Sequence, residues 1–87
     1  MTLMEKVLNE IDQERNNQIQ KFGYQDYTTS VWLSVIGEEF GEMCKEANDL
    51  RLNQRNASLQ NLYDESIQTA ACCVALCENI LNWQTDE

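Results

Sequence analysis

From Ser58 to Trp83 the chain runs without a glycine or a proline, and between Ile67 and Leu81 it is apolar on nearly every side, through Ala70, Ala71, Cys72, Cys73, Val74, Ala75, Leu76 and Cys77. That length excludes a strand and predicts one long helix. A helix apolar all round has to be buried, and 87 residues offer little to bury it with, so association between copies is the natural source of extra cover. The small side chains in the run would let a partner helix approach closely. The rest of the chain has no proline and three glycines, and its apolar residues recur at spacings of three and four. The expected fold is all-α: one domain over residues 1–87, with three main helices per chain that complete a four-helix-bundle-like core by homo-oligomerisation, as a homodimer or homotetramer. A tightly packed monomer is the alternative.

The first helix is predicted from about Thr2, which can serve as N-cap, to about Gln20, with Met4, Val7, Leu8, Ile11 and Ile19 as its apolar stripe. Residues 21–27 break that periodicity at Gly23 and read as an aromatic-rich connecting loop. Thr28, Thr29 and Ser30 offer N-caps for a second helix patterned by Trp32, Val35, Ile36, Met43, Ala47 and Leu50. Residues 51–56 form the next turn, and Asn56 or Ser58 opens the third helix.

The second helix carries the run Gly37-Glu38-Glu39-Phe40-Gly41-Glu42. Residues three and four apart share a helix face, so Glu39 and Glu42 can point at one spot, with Glu38 beside Glu42 at the other spacing. Acidic runs are commonly solvated faces. Glu39, however, falls within the apolar stripe between Ile36 and Met43, and a partly buried carboxylate is costly unless it is paired or holds a cation. Six lysines and arginines are too few to pair fifteen acids. The third helix adds Asp64, Glu65 and Gln68, the last two again three apart. Two antiparallel helices could thus face two pairs of oxygen ligands toward each other, a set suited to Mg²⁺, which prefers hard oxygens and shares its shell with substrate phosphates.

A net charge of −9 argues against a nucleic-acid polymer as partner, whereas a small phosphorylated ligand arriving with its own Mg²⁺ is compatible with it. There is no apolar run of about 18 residues and no signal-like start, so no membrane partner is expected and the expected location is cytoplasmic. Cys44, Cys72, Cys73 and Cys77 contain no Cys-x-x-Cys pair and are expected to be small buried hydrophobes. The absence of histidine removes Ser-His and Cys-His nucleophile schemes and leaves carboxylates and metal as catalytic equipment.

The order of motifs resembles the all-α nucleoside triphosphate pyrophosphohydrolases, and within them the short MazG-like proteins of phages and mobile elements. It comprises Glu14-Arg15-x-x-Gln18, Lys21-Phe22-Gly23-x-Gln25-Asp26, Trp32-Leu33, the Glu38-Glu39-x-x-Glu42 run, and Glu65-x-x-Gln68-x-Ala70-Ala71. The resemblance spans most of the chain. It implies Mg²⁺-dependent hydrolysis of a nucleoside triphosphate to monophosphate and pyrophosphate, with Mn²⁺ as a substitute and a house-cleaning role in the nucleotide pool. It also implies Glu39, Glu42, Glu65 and Gln68 as metal ligands, with Glu38, Glu39 and Glu42 as the catalytic acids. Glu38 would hold a further Mg²⁺ or orient the attacking water. Gln68 stands where that family usually has aspartate. Its carbonyl can still ligate a metal, but it lacks the charge.

For the substrate, Lys21 and Arg15 are candidate phosphate contacts, and Phe22, Tyr24, Tyr27 and Trp32 candidate walls for a base. Trp32 lies two turns before Glu39 on the same face, about 10 Å along the axis, although it reads equally as core. Two other classes stay open: a nucleotide-binding module with weak or no turnover, and a helical oligomerisation or partner-binding protein with an acidic face.

Overall fold

The computed structural model describes residues 1–54 and 57–85. Among these residues the chain forms three helices and no strand: α1 (Leu3–Phe22), α2 (Thr29–Arg51) and α3 (Leu59–Thr85). Each begins at a hydroxyl cap. The side-chain oxygens of Thr2, Thr28 and Ser58 accept from the backbone N–H of Glu5, Val31 and Asn61 at 3.1, 3.4 and 3.0 Å, satisfying donors that the first turn leaves unpaired. Asn56, the other candidate for opening α3, lies outside the described residues.

α1 runs further than its periodicity suggests, so Lys21 and Phe22 ride on its last turn and not in the loop. It stops at Gly23, whose φ of +76° with an extended ψ is a conformation that a Cβ would strain; its N–H bonds the Ile19 carbonyl at 2.7 Å. α2 closes with a Schellman motif. Asn53 takes φ +54°, its N–H reaches the Leu50 carbonyl at 3.2 Å, and the Gln54 N–H reaches the Asp49 carbonyl at 2.9 Å.

Both α1 and α2 pack on α3, and their backbones stay apart from each other. The Tyr63 hydroxyl donates to the Glu10 carboxylate and the Gln18 amide to the Cys72 thiol, so α1 and α3 run parallel. The contact of Trp32 with Asn79 and that of Glu39 with Glu65 make α2 antiparallel to α3. Among the described residues the buried apolar side chains are Trp32, Ala71, Cys72 and Ala75. Small residues on α3 therefore let the chain's own helices come close, where the sequence had suggested a partner.

The ring of apolar residues on α3 is only half covered. Cys73, Val74, Cys77, Ile80 and Leu81 are exposed, as are Leu33 and Phe40 on α2. Of the four cysteines Cys72 alone is buried; Cys44, Cys73 and Cys77 face outward, contrary to expectation. Met4, Leu8 and Ala47 also lie exposed, because α1 and α2 each meet a single neighbour, which covers a narrower stripe than a complete bundle would. No helix among the described residues is long and apolar enough to cross a membrane.

One buried side chain ties the connection between α1 and α2 to α3. Asn79 Oδ1 accepts from the Trp32 indole N–H at 2.8 Å and the Tyr27 backbone N–H at 3.0 Å, and its Nδ2 donates to the Gln25 carbonyl at 3.0 Å and the Tyr24 hydroxyl at 3.4 Å. Beside it Arg15, 4% exposed, pairs with Glu78 at 2.7 Å and donates to the Gln25 side chain. Arg15 thereby helps hold the structure together, although its Nη2 is buried without a hydrogen-bond partner, and it does not line the cleft between α1 and α2.

Candidate functional site

Because α1 and α2 lean apart over α3, they leave between them a cleft of about 530 Å³. It is lined by Gln25, Tyr27 and Trp32, which the Asn79 clamp holds, and by Glu14, Glu39 and Gln68. Lys21 and Phe22, from the last turn of α1, form part of the wall, with the Lys21 ammonium 5.0 Å from the Phe22 ring centre. Of the residues singled out from the sequence, Lys21, Phe22, Tyr27, Trp32, Glu39 and Gln68 line this cleft, whereas Arg15, Tyr24, Glu38, Glu42 and Glu65 do not.

Trp32 lines it from within the core. It is 1% exposed, tilts against Tyr27 with ring centres 4.9 Å apart, and spends its N–H on Asn79. Phe22 and Tyr27 are the rings with surface to offer a ligand.

Around Glu39 the acids gather. Its carboxyl lies within hydrogen-bonding reach of Glu65 and within electrostatic reach of Glu42 and Glu38, so it holds its proton to a pH above the ordinary 4.5, first through partial burial and then through Glu65. Glu65 Oε2 is buried and has no hydrogen-bond partner. The ion pairs among the described residues, Arg15 with Glu78 and Lys45 with Asp49, leave this group without a cation. Glu38 and Glu42 remain exposed on α2. Among the described residues no three His, Cys, Asp or Glu side chains converge as a ready metal cage. The sequence-derived set is therefore brought together in part: Glu39 interacts with Glu65 and lines the cleft together with Gln68, while Glu65, Glu42 and Glu38 are not among its lining residues.

The cleft also holds residues that sequence reasoning left without a role in the site: Glu14, Asn17, Gln18, Gln25 and Cys72. Burial, and then the charge of Glu39, pushes the Cys72 thiol above its ordinary pKa, so it stays a neutral S–H. Glu14, Asn17 and Gln68 are shared with a second, more polar groove of about 380 Å³ between α1 and α3. Regular three-and-four spacing on α1 could have placed Glu14, Gln18 and Lys21 on one face; nothing in the sequence says that this face looks across at Glu39.

Compared with protein-family models, curated proteins and solved structures, the chain matches none.

Proposed function

We propose that the chain is a Mg²⁺-dependent nucleoside triphosphate pyrophosphohydrolase of the MazG-like kind, releasing pyrophosphate and a monophosphate. The observation that carries this reading is the pairing of Glu39, which lines the cleft, with Glu65 behind it: two interacting carboxyl groups that no lysine or arginine of the described ion pairs serves, one with a buried oxygen that has no partner. Carboxylates in that position repel, and a hard divalent cation would turn the repulsion into attraction. The donor chemistry fits Mg²⁺, with Glu39, Glu65, Glu42 and the neutral carbonyl of Gln68 as the residues that would hold it. When bound, Mg²⁺ supplies neutralisation of the triphosphate charge and a water acidic enough to attack phosphorus.

The chain's own residues supply the rest. Lys21 sets a positive charge against the phosphates from the opposite wall. Glu38, exposed on α2 next to Glu39, would orient the attacking water or hold a further Mg²⁺. Phe22 and Tyr27 give a nucleobase an aromatic wall, and the Asn79 clamp fixes the loop that carries Tyr27. A role in clearing the nucleotide pool, and a cytoplasmic setting, follow from this activity. Homo-oligomerisation belongs to the same reading. The outward faces of α2 and α3 present Leu33, Phe40, Val74, Ile80 and Leu81, and Gly37 and Gly41 have open space where a Cβ would stand, so a second copy can approach α2 closely.

Thermal melting with Mg²⁺, Mn²⁺ and a panel of nucleoside triphosphates, combined with an assay for pyrophosphate, tests the proposal. Stabilisation by metal and nucleotide together is expected, with pyrophosphate released, and Glu39→Gln should abolish turnover while the fold survives. Unchanged hydrolysis in that variant would remove the metal assignment. Binding without release would leave a nucleotide-binding module, the reading that the uncharged Gln68 favours.

A further inference from the structure

The cleft contains an acceptor that the chain itself does not use. Gln18 lines it from α1, and its Oε1 is buried with no donor in reach. The other end of the same amide is scarcely better served: Nε2 has the Cys72 sulfur at 3.8 Å, a weak acceptor. The neighbouring Gln25 differs, since its Oε1 takes the Arg15 guanidinium at 3.3 Å and its Nε2 gives to the Tyr27 hydroxyl at 3.4 Å. A buried carbonyl left without a donor keeps its full desolvation penalty, which calls for an explanation in a small fold. Cys72 offers no remedy, because its thiol is a poor donor.

From this we infer that Gln18 reads the hydrogen-bonding edge of a nucleobase, its Oε1 accepting a ring or exocyclic N–H of the base and its Nε2 donating to the acceptor beside that N–H. The inference rests on the nucleotide reading above and deepens it from triphosphate to base. Three features of the cleft support it. The terminal amide torsion of glutamine is soft, so the amide of this cleft-lining residue can turn toward a ligand at little cost. Phe22 and Tyr27 line the same cleft and can hold a flat ring while its edge is read. The acids gather around Glu39, whose place is two helical turns from the Trp32 end, a span of about 10 Å that suits a base at one end and phosphates at the other. Discrimination follows from the chemistry: a base whose N–H is replaced by N–CH₃ leaves the amide unpaired and adds a clash.

Nucleosides without phosphate, titrated by NMR in the absence of metal, isolate this contact from the acidic cluster. Uridine, cytidine, adenosine and guanosine are compared with their N3-methyl, N4,N4-dimethyl, N6,N6-dimethyl and N1-methyl derivatives. At least one parent nucleoside should shift resonances of Gln18, Phe22 and Tyr27 and bind roughly tenfold or more tightly than its methylated form. Gln18→Met, which keeps the side-chain length and removes the amide, should erase that ratio. Equal binding of parent and methylated nucleosides by the unsubstituted protein, binding of none of them at the cleft, or an unaltered ratio in Gln18→Met would each overturn the inference. The methylated ligands on unsubstituted protein keep the test valid if the variant folds poorly. Failure of the metal reading appears separately, as inorganic tripolyphosphate with Mg²⁺ giving no stabilisation while the nucleoside ratio persists.

Discussion

Glu39 sits partly buried with Glu65 against it and Glu42 one turn on, so its carboxyl keeps its proton to a higher pH in the folded chain than in the unfolded one. The stability it contributes is fully present below the unfolded value of 4.5 and is lost as pH rises through the folded pKa. Metal-free protein should therefore lose melting temperature from mildly acidic toward neutral pH, and Glu39→Gln should flatten that part of the profile; an identical slope in the variant would mean that the acids do not interact. Gln68 gives a second test with opposite signs in one molecule. Replacing it by aspartate adds a negative charge beside Glu39, so Gln68→Asp should destabilise the metal-free fold and strengthen stabilisation by Mg²⁺, because attraction to a dication at ligand distance exceeds the added repulsion. Equal shifts of the melting curves with and without Mg²⁺ would place Gln68 away from the metal. At this scale the sequence was partly legible: Glu39 within an apolar stripe announces a partly buried carboxyl, whereas the orphaned oxygens of Gln18 and Glu65 depend on which side chains the fold sets around them.

The helices themselves could be read from spacing, since a face that must be covered repeats at three and four whatever covers it. Their starts were legible as well, because hydroxyl caps act within a few residues. What spacing does not carry is pairing between elements. Asn79 and Glu78 stand near the apolar run of α3 and read as ordinary helix surface, yet Asn79 is fully buried and bonds Tyr24, Gln25, Tyr27 and Trp32, more than forty residues away in every case. Its amide satisfies a backbone N–H, a backbone carbonyl and an indole at once. Asn79→Leu keeps the volume but strands these groups, and at roughly 1 kcal/mol for each lost bond the fold should weaken by about 2–4 kcal/mol. Chemical denaturation measures the loss, and a change below about 0.5 kcal/mol would show that water replaces the amide. The same variant should loosen the 23–28 connection, with faster amide hydrogen exchange there than in the second half of α2.

The molecule measures 50 × 34 × 21 Å with a Cα radius of gyration of 14.7 Å, against about 12 Å for a compact chain of this length. Its accessible surface is 6361 Å², where a globular protein of 10.1 kDa exposes roughly 5,300 Å². The excess of roughly 1,000 Å² is similar to one side of a standard protein interface, about 800 Å². Part of that excess is apolar: Leu33 and Phe40 on α2 are each 57% exposed, and Leu81 on α3 is 62% exposed, while the buried apolar core among the described residues amounts to four side chains. The all-round apolar pattern of α3 is thereby resolved into two faces, one closed by the chain's own helices through Ala71 and Ala75 and one exposed through Val74, Ile80 and Leu81, which the proposed oligomer would cover. Substitutions separate these faces. Ala71→Glu places an unpaired carboxylate inside the single chain and should unfold it, so it cannot report on assembly. Phe40→Glu places the charge on the outer face, where a monomer accommodates it in water and a dimer does not, and it should loosen association by roughly a hundredfold or more with the helical content intact. Sedimentation reads the outcome directly: the unsubstituted chain is expected at twice its 10.1 kDa or a higher multiple and the Phe40→Glu variant near a single chain at low concentration. An unsubstituted protein that sediments as one chain at every concentration would leave the outer face without a second copy and limit the fold to the three helices described.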